Sequence, residues 1–160
     1  MFHCEVSPSF YSELLATVRI EKVDSIILNL PKRTGSDILQ IVNRMVKSKE
    51  KNSLNDAESA YLIYKWIIQK VEIIFSNERR NLELVYSSGK ANCEEISAFF
   101  NFFCSFFEIE SQSISGYLKT LDNSKDYDEK IINIDFTWNY IAINNLYYLI
   151  RFSFRSWIFI

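Results

Sequence analysis

The sequence predicts an α+β domain, and three observations carry that prediction. Apolar residues follow helical spacing through much of the first hundred positions. The segment from Glu94 to Phe107 is apolar around nearly its whole circumference. Alternating and aromatic stretches gather after Ser111 about an Asn144-Asn145 pair. Helices grouped ahead of strands, rather than alternating with them, place helices against an antiparallel sheet. With 160 residues, 48% of them hydrophobic and 16% aromatic, the chain suits one domain with a real core.

Element by element, Ser7 and Pro8 open a first helix reaching to about Val23, with Tyr11, Leu14, Leu15 and Val18 following its spacing loosely. Ser25 to Leu30, stopped by Pro31, is too short an apolar run for periodicity to separate strand from helix end. Ser36 caps a helix marked by Ile38, Ile41, Val42, Met45 and Val46, with Asp37 favourably placed at its N-terminus. Lys47 to Leu54 reads as a solvated linker. Asn55 with Glu58 forms a capping box ahead of a stripe through Ala57, Tyr61, Tyr64, Ile67, Ile68 and Val71. Ser76 to Asn81 is polar, and Ser87, Ser88 and Gly89 make a turn. The phenylalanine-rich helix then belongs in the middle of the fold. Ser111 to Lys119 and Ile131 to Ile143 read as strands separated by a polar loop. Asn144-Asn145 tolerates positive φ and folds the second strand back onto Leu146 to Phe154.

Composition removes several function classes. Eighteen basic and twenty acidic side chains give a net charge of −2, with no electrostatic footprint for nucleic acid and no polybasic membrane patch. Glu5, Pro8 and Glu13 interrupt the N-terminus where a secretion signal needs apolar residues, and Arg151 and Arg155 interrupt the apolar C-terminus, so neither a signal peptide nor a membrane span is expected. No Gly-rich phosphate loop, Cys knuckle or His pair is present, so no metal and no cofactor is expected. Cys4, Cys93 and Cys104 are an odd set without paired spacing. On one helix Cys93 and Cys104 would stand ~16 Å apart, beyond disulfide reach, which fits a reducing, cytoplasmic setting.

Cys93 is the residue that carries chemistry. A thiol at the start of a helix meets unpaired N–H groups and the positive end of the helix dipole, which stabilise thiolate. The alternative is a buried structural thiol packed as a small hydrophobe. Glu94 and Glu95 place negative charge beside the thiol and oppose the dipole, although acids in a first helical turn are also ordinary stabilising features.

Four segments, in order over roughly the last two thirds of the chain, resemble the transglutaminase-like family, and in particular its kyphoscoliosis-peptidase and cytokinesis-protein branch. They are DAESAYLIYKWIIQKVEI (56–73), KANCEEISAFFNFFC (90–104), SQSISGYLK (111–119) and FTWNYIAINNLYYLIRFSF (136–154). The resemblance implies a papain-like α+β core over residues 51–160, preceded by a helical segment over 1–50, within one compact domain. Its central Cys-bearing helix packs on an antiparallel sheet. It also implies a Cys-His-Asp triad, in which imidazole takes the thiol proton and a carboxylate orients the imidazolium.

The matching positions are Cys93, Phe136 and Arg151. Phe136 lies two residues before Trp138, as the family's histidine does, and Arg151 follows Tyr147-Tyr148-Leu149-Ile150 where the family has aspartate. Phenylalanine accepts no proton, and arginine repels an imidazolium. Glu95 stands where the family commonly has a small glycine. His3 is the sole histidine, and Asp135 alternates to the strand face opposite Phe136. Trp138, Tyr117, Tyr147 and Tyr148, with Asn139 beside Trp138, line a residual groove in this reading, packing of strand aromatics being the alternative.

The expectation is therefore a pseudoenzyme: an inactive, intracellular transglutaminase-like domain that binds a protein partner. The rival reading is an active thiol peptidase or acyltransferase using Cys93 with an unconventional base. A third is a fragment or divergent gene product, since the chain stops at Ile160 soon after the third triad position.

Overall fold

A computed structural model describes residues 15–31, 37–117, 135–150 and 152, with 117, 135 and 136 described through the backbone alone. The elements, in order, are α1 (Ile20–Asn29), α2 (Ile38–Asn52), α3 (Asp56–Lys70), β1 (Glu72–Ile73), α4 (Leu82–Ser88), β2 (Lys90–Ala91), α5 (Cys93–Phe106), β3 (Glu110–Tyr117), β4 (Asp135–Ile143) and β5 (Leu146–Ile150). Helices precede an antiparallel sheet of order β3-β4-β5, and β1-β2 form a separate small parallel pair. This is the α+β architecture the residue pattern predicts.

The Ser25–Leu30 run resolves as helix, because Val23, Ile26 and Ile27 recur at helical spacing and are buried together. Leu30 leaves the helix in extended backbone (φ −80°, ψ 135°), the region favoured before a proline, here Pro31. The first helix expected from Ser7 and Pro8 to about Val23 does not run through: residues 17–19 are not helical, and Val23 belongs to α1, which starts at Ile20 after Arg19. Its expected start lies outside the described residues, as does the Ser36 cap. Asp37 is the observed cap of α2, its carboxylate accepting the Leu39 N–H at 2.9 Å.

Lys47–Leu54 is not a linker. α2 continues to Asn52 and ends with Ser53 in the left-handed region at φ 49°. Lysine and glutamate are good helix formers, and polarity there marks the outer face of a helix. Lys49 also anchors that turn, with its ammonium 2.9 Å from the Phe107 carbonyl and 5.6 Å from the centre of the Phe107 ring.

The capping box of α3 is present, and the structure extends it. Asn55 accepts the Glu58 N–H at 2.8 Å, and the Glu58 carboxylate accepts the Asn55 N–H at 3.1 Å. The same carboxylate takes three bonds from Arg19: the backbone N–H at 3.1 Å, Nε at 2.5 Å and Nη2 at 2.7 Å. Glu58 is fully buried, so these donors replace the water it has lost. The Arg19 hydrogen bonds outweigh burial and hold its carboxyl at a pKa of about 2. α1 is thereby fastened to α3, and Lys22 Nζ adds a bond to the Asn52 carbonyl at 2.6 Å.

Between the polar run and the Gly89 turn the sequence hides α4, a seven-residue helix. Asn81 caps it by accepting the Leu84 N–H at 2.8 Å, and Gly89 ends it at φ 65°. α4 bridges the parallel strands, which pair Glu72 with Lys90 and Ile73 with Ala91.

α5 lies at the centre, as its composition predicts. Ile96, Phe99, Phe100, Phe103 and Cys104 are buried, leaving an outer strip of Glu94, Ala98, Ser105 and Phe106. Phe103 packs with its ring centre 5.4 Å from that of Trp66 and 5.0 Å from that of Phe99. Phe152 closes the other side against Phe100 and Tyr64. The β4-β5 hairpin turns at Asn144 and Asn145 with φ 53° and 62°. Positive φ at both central residues suits the strand twist, and asparagine tolerates it.

Candidate functional site

Cys93 is the first residue of α5 and is half-buried. Its setting is built by Asn92 and Glu95, a second capping box. Asn92 Oδ1 accepts the Glu95 N–H at 2.8 Å, and the Glu95 carboxylate accepts the Asn92 N–H at 2.9 Å. The Asn92 amide donates its two protons to the carbonyls of Ser76 at 3.0 Å and Glu78 at 2.9 Å. The polar stretch that follows β1 is thus stitched to the start of α5.

The acids beside Cys93 are both paired, contrary to the expectation that they expose the thiol to unbalanced negative charge. Glu94 meets Arg79 at 3.1 Å. Glu95 is buried and takes the Arg80 backbone N–H at 2.7 Å, Nε at 3.0 Å and Nη2 at 2.6 Å. Burial pushes the Glu95 carboxyl up, but the Arg80 bonds and the Asn92 N–H together outweigh it, and the net shift is downward.

The second thiol of α5, Cys104, is wholly enclosed, and burial pushes it up to about 12 despite a hydrogen bond with Ser111. Cys104 is therefore chemically inert at neutral pH. Cys4 and His3 lie outside the described residues.

The sheet meets α5 through polar contacts that fix its direction. Cys104 bonds Ser111, whereas Ser97 and Asn101 bond Ser113. β3 therefore runs back along α5 toward Cys93. β4 is antiparallel to β3, so its first residues, Asp135 to Thr137, lie at the Cys93 end. There Phe136 pairs with Gly116 and Tyr117 with Asp135 through the backbone. Arg151 lies outside the described residues, so of the three positions expected for a triad, Cys93 and Phe136 are those whose placement along the fold is described.

Asn139 and Trp138 part company across the strand. Asn139 faces α5 and is wholly buried, while Trp138 faces away, half-buried, with its indole over Gly116. A Cβ on Gly116 would stand 2.7 Å from Trp138 Cζ3, so this indole position needs glycine beneath it. Trp138 and Asn139 consequently do not line one groove. Tyr147 is exposed and Tyr148 half-buried on β5.

Asn139 instead closes a ring. Its Nδ2 donates to Asn101 Oδ1 at 2.8 Å and to the Ser97 carbonyl at 3.0 Å, and its Oδ1 accepts the Ser97 hydroxyl at 2.8 Å. Ser97 and Ser113 share a bond of 2.8 Å, and Asn101 Nδ2 donates to Ser113 Oγ at 2.7 Å. The single Ser97 proton goes to Asn139, whose Oδ1 only accepts, so Ser113 supplies the proton between the hydroxyls. Each of the four side chains then both donates and accepts. Asn139→Ala removes the bonds to Ser97 and Asn101, leaving the side chains of both with Ser113 alone, and should cost about 2–3 kcal/mol, against about 1 kcal/mol for Ser113→Ala at the exposed rim. Urea unfolding of the two variants measures the difference.

Asn92, Arg80 and the ring are the parts that the sequence reading missed. Asn92 had a signal, since Asn-x-x-Glu at 92–95 repeats the pattern recognised at 55–58. Ser97 and Asn101, polar residues one turn apart on an otherwise aromatic helix, were a weaker one. Arg80 had none.

A cysteine at the start of a central helix, packed on an antiparallel sheet whose β4 begins at the cysteine end, defines a papain-like α+β protein. Residues 40–158 match the sequence family described as the transglutaminase-like superfamily, and the chain belongs to that superfamily. No curated protein and no solved structure matches it.

Proposed function

We propose that the chain is a catalytically inactive transglutaminase-like domain that serves as a protein-interaction or scaffold module. One observation carries this reading: residues 40–158, the span of the family match, contain no histidine. Triad chemistry needs a group that takes the thiol proton near neutral pH, and Phe136 and Arg151, at the positions aligned with the family's histidine and aspartate, supply none. Cys93 is then a vestigial nucleophile.

The segments quoted above support placement in the kyphoscoliosis-peptidase and cytokinesis-protein branch, whose members serve cytoskeletal and cell-division assemblies. A protein is accordingly the partner class. The unpaired cysteine spacing supports an intracellular setting. Residues 15–31 belong with the core as one folding unit, supported by the Arg19 bonds to Glu58.

The rival reading, an active acyltransferase or peptidase on Cys93, draws on the pairing of Glu94 and Glu95, which leaves the positive end of α5 uncancelled. The test is turnover: incorporation of a primary amine into a glutamine-donor peptide, and peptide cleavage, by the chain and by Cys93→Ala. Equal background rates are expected. Turnover lost in Cys93→Ala would overturn the inactive reading.

A further inference from the structure

The two capping boxes share one design. In each, an Asn-x-x-Glu pair caps a helix, and the glutamate is buried. An arginine from an earlier segment then grips the carboxylate with its backbone N–H, Nε and Nη2: Arg19 on Glu58 and Arg80 on Glu95. The first clasp holds a helix that begins with Asp56, the second a helix that begins with Cys93. They are chemical twins, and the second holds the helix whose first residue is a thiol.

We propose that Arg80 is a positioning residue for the Cys93 thiol. By clasping Glu95 it withdraws that carboxylate's charge from the start of α5, and through Glu95 and Asn92 it fixes the first turn in the geometry that favours thiolate. The inference rests on Cys93 occupying the family's nucleophile position. It does not require turnover, so an inactive chain satisfies it equally.

Among the described residues, the charged groups around this turn are few. Glu94 is paired with Arg79 on the outer strip, and Lys90 on β2 lies 3.8 Å from Glu72 on β1. Glu78, in the stitched segment, acts on Arg80 through space. From the sheet, Thr137 and the Ser97–Asn139 ring bring no charge. The Arg80–Glu95 pair is the buried charge pair of the set, with side chains 14% and 4% exposed, so solvent screens it least.

The arrangement makes predictions of opposite sign. Arg80→Met leaves Glu95 ungripped and disfavours thiolate. Glu95→Gln removes the buried counter-charge of Arg80 and favours it. Arg80→Lys keeps the charge but not the two-pronged grip, and falls between wild type and Arg80→Met.

The experiment is site-resolved alkylation of the full chain by iodoacetamide from pH 6 to 10, with Cys93 read by mass spectrometry of its peptide. Expected are a rise of about one pH unit in the Cys93 midpoint for Arg80→Met, with about tenfold slower labelling at pH 7, and a fall for Glu95→Gln. Arg19→Met, the twin clasp, loosens the fold without moving the midpoint. Equal profiles for Arg80→Met and Arg19→Met, or shifts of one sign for Arg80→Met and Glu95→Gln, overturn the proposal. Should Arg80→Met not fold, Arg80→Lys and Glu95→Gln decide it by the same criterion of sign.

Discussion

Phe103→Ala is expected to cost about 3–5 kcal/mol, a large fraction of the stability of a domain this size. Phe103 is wholly buried on α5 and its ring meets those of Trp66, Phe99 and Phe102. Truncation removes its transfer energy and opens a void that three rigid rings collapse into only partly. Phe106 supplies the comparison. It lies on the same helix but is 42% exposed, so Phe106→Ala should cost about 1 kcal/mol or less. Thermal or urea unfolding of both variants separates them; equal losses would mean that the aromatic cluster does not carry the core.

The second large effect is acid unfolding. Glu58 has a folded pKa of about 2 against an ordinary value of 4.5, and Glu95 is shifted in the same direction. A carboxyl depressed by folding binds protons more tightly when unfolded. Its contribution is complete above the unfolded pKa and is lost as pH falls toward the folded one. Urea midpoints should therefore hold from pH 7 to 5 and fall steeply between about pH 4.5 and 2. Glu58→Gln, less stable at pH 7, should show a shallower fall, since one of the two carboxyls that folding depresses among the described residues is gone. An unchanged slope in that variant would show that Glu58 is not the group being protonated.

How far this was legible in the sequence depends on the range of each interaction. α3 and α5 announced themselves through local spacing, and the hairpin through two asparagines. The α2 extension failed because a lysine-rich run is ambiguous: the same residues make a solvated linker or the outer face of a helix. α4 failed because seven residues between two polar clusters give too few turns for periodicity. In the candidate site, the position of Cys93 followed from helix-start chemistry, and the charge on Glu95 followed from its identity. The neutralisation of that charge did not follow, because Arg80 reaches forward fifteen residues and nothing local marks it. The same holds for Asn139. Its neighbour Trp138 drew attention through family likeness, while the bonds across to Ser97 and Asn101 depend on which strand face meets the helix.

The ring of Ser97, Asn101, Ser113 and Asn139 contains no group that titrates between acid and neutral pH, whereas both clasps that pin segments to helix starts are ionic. Acid should thus loosen the molecule from its periphery inward. Amide protons in α1 and along residues 76–80 would exchange first, through partial openings that leave α5 seated on its sheet. The strands and the central helix would then exchange together, as one cooperative block, only when the whole domain opens.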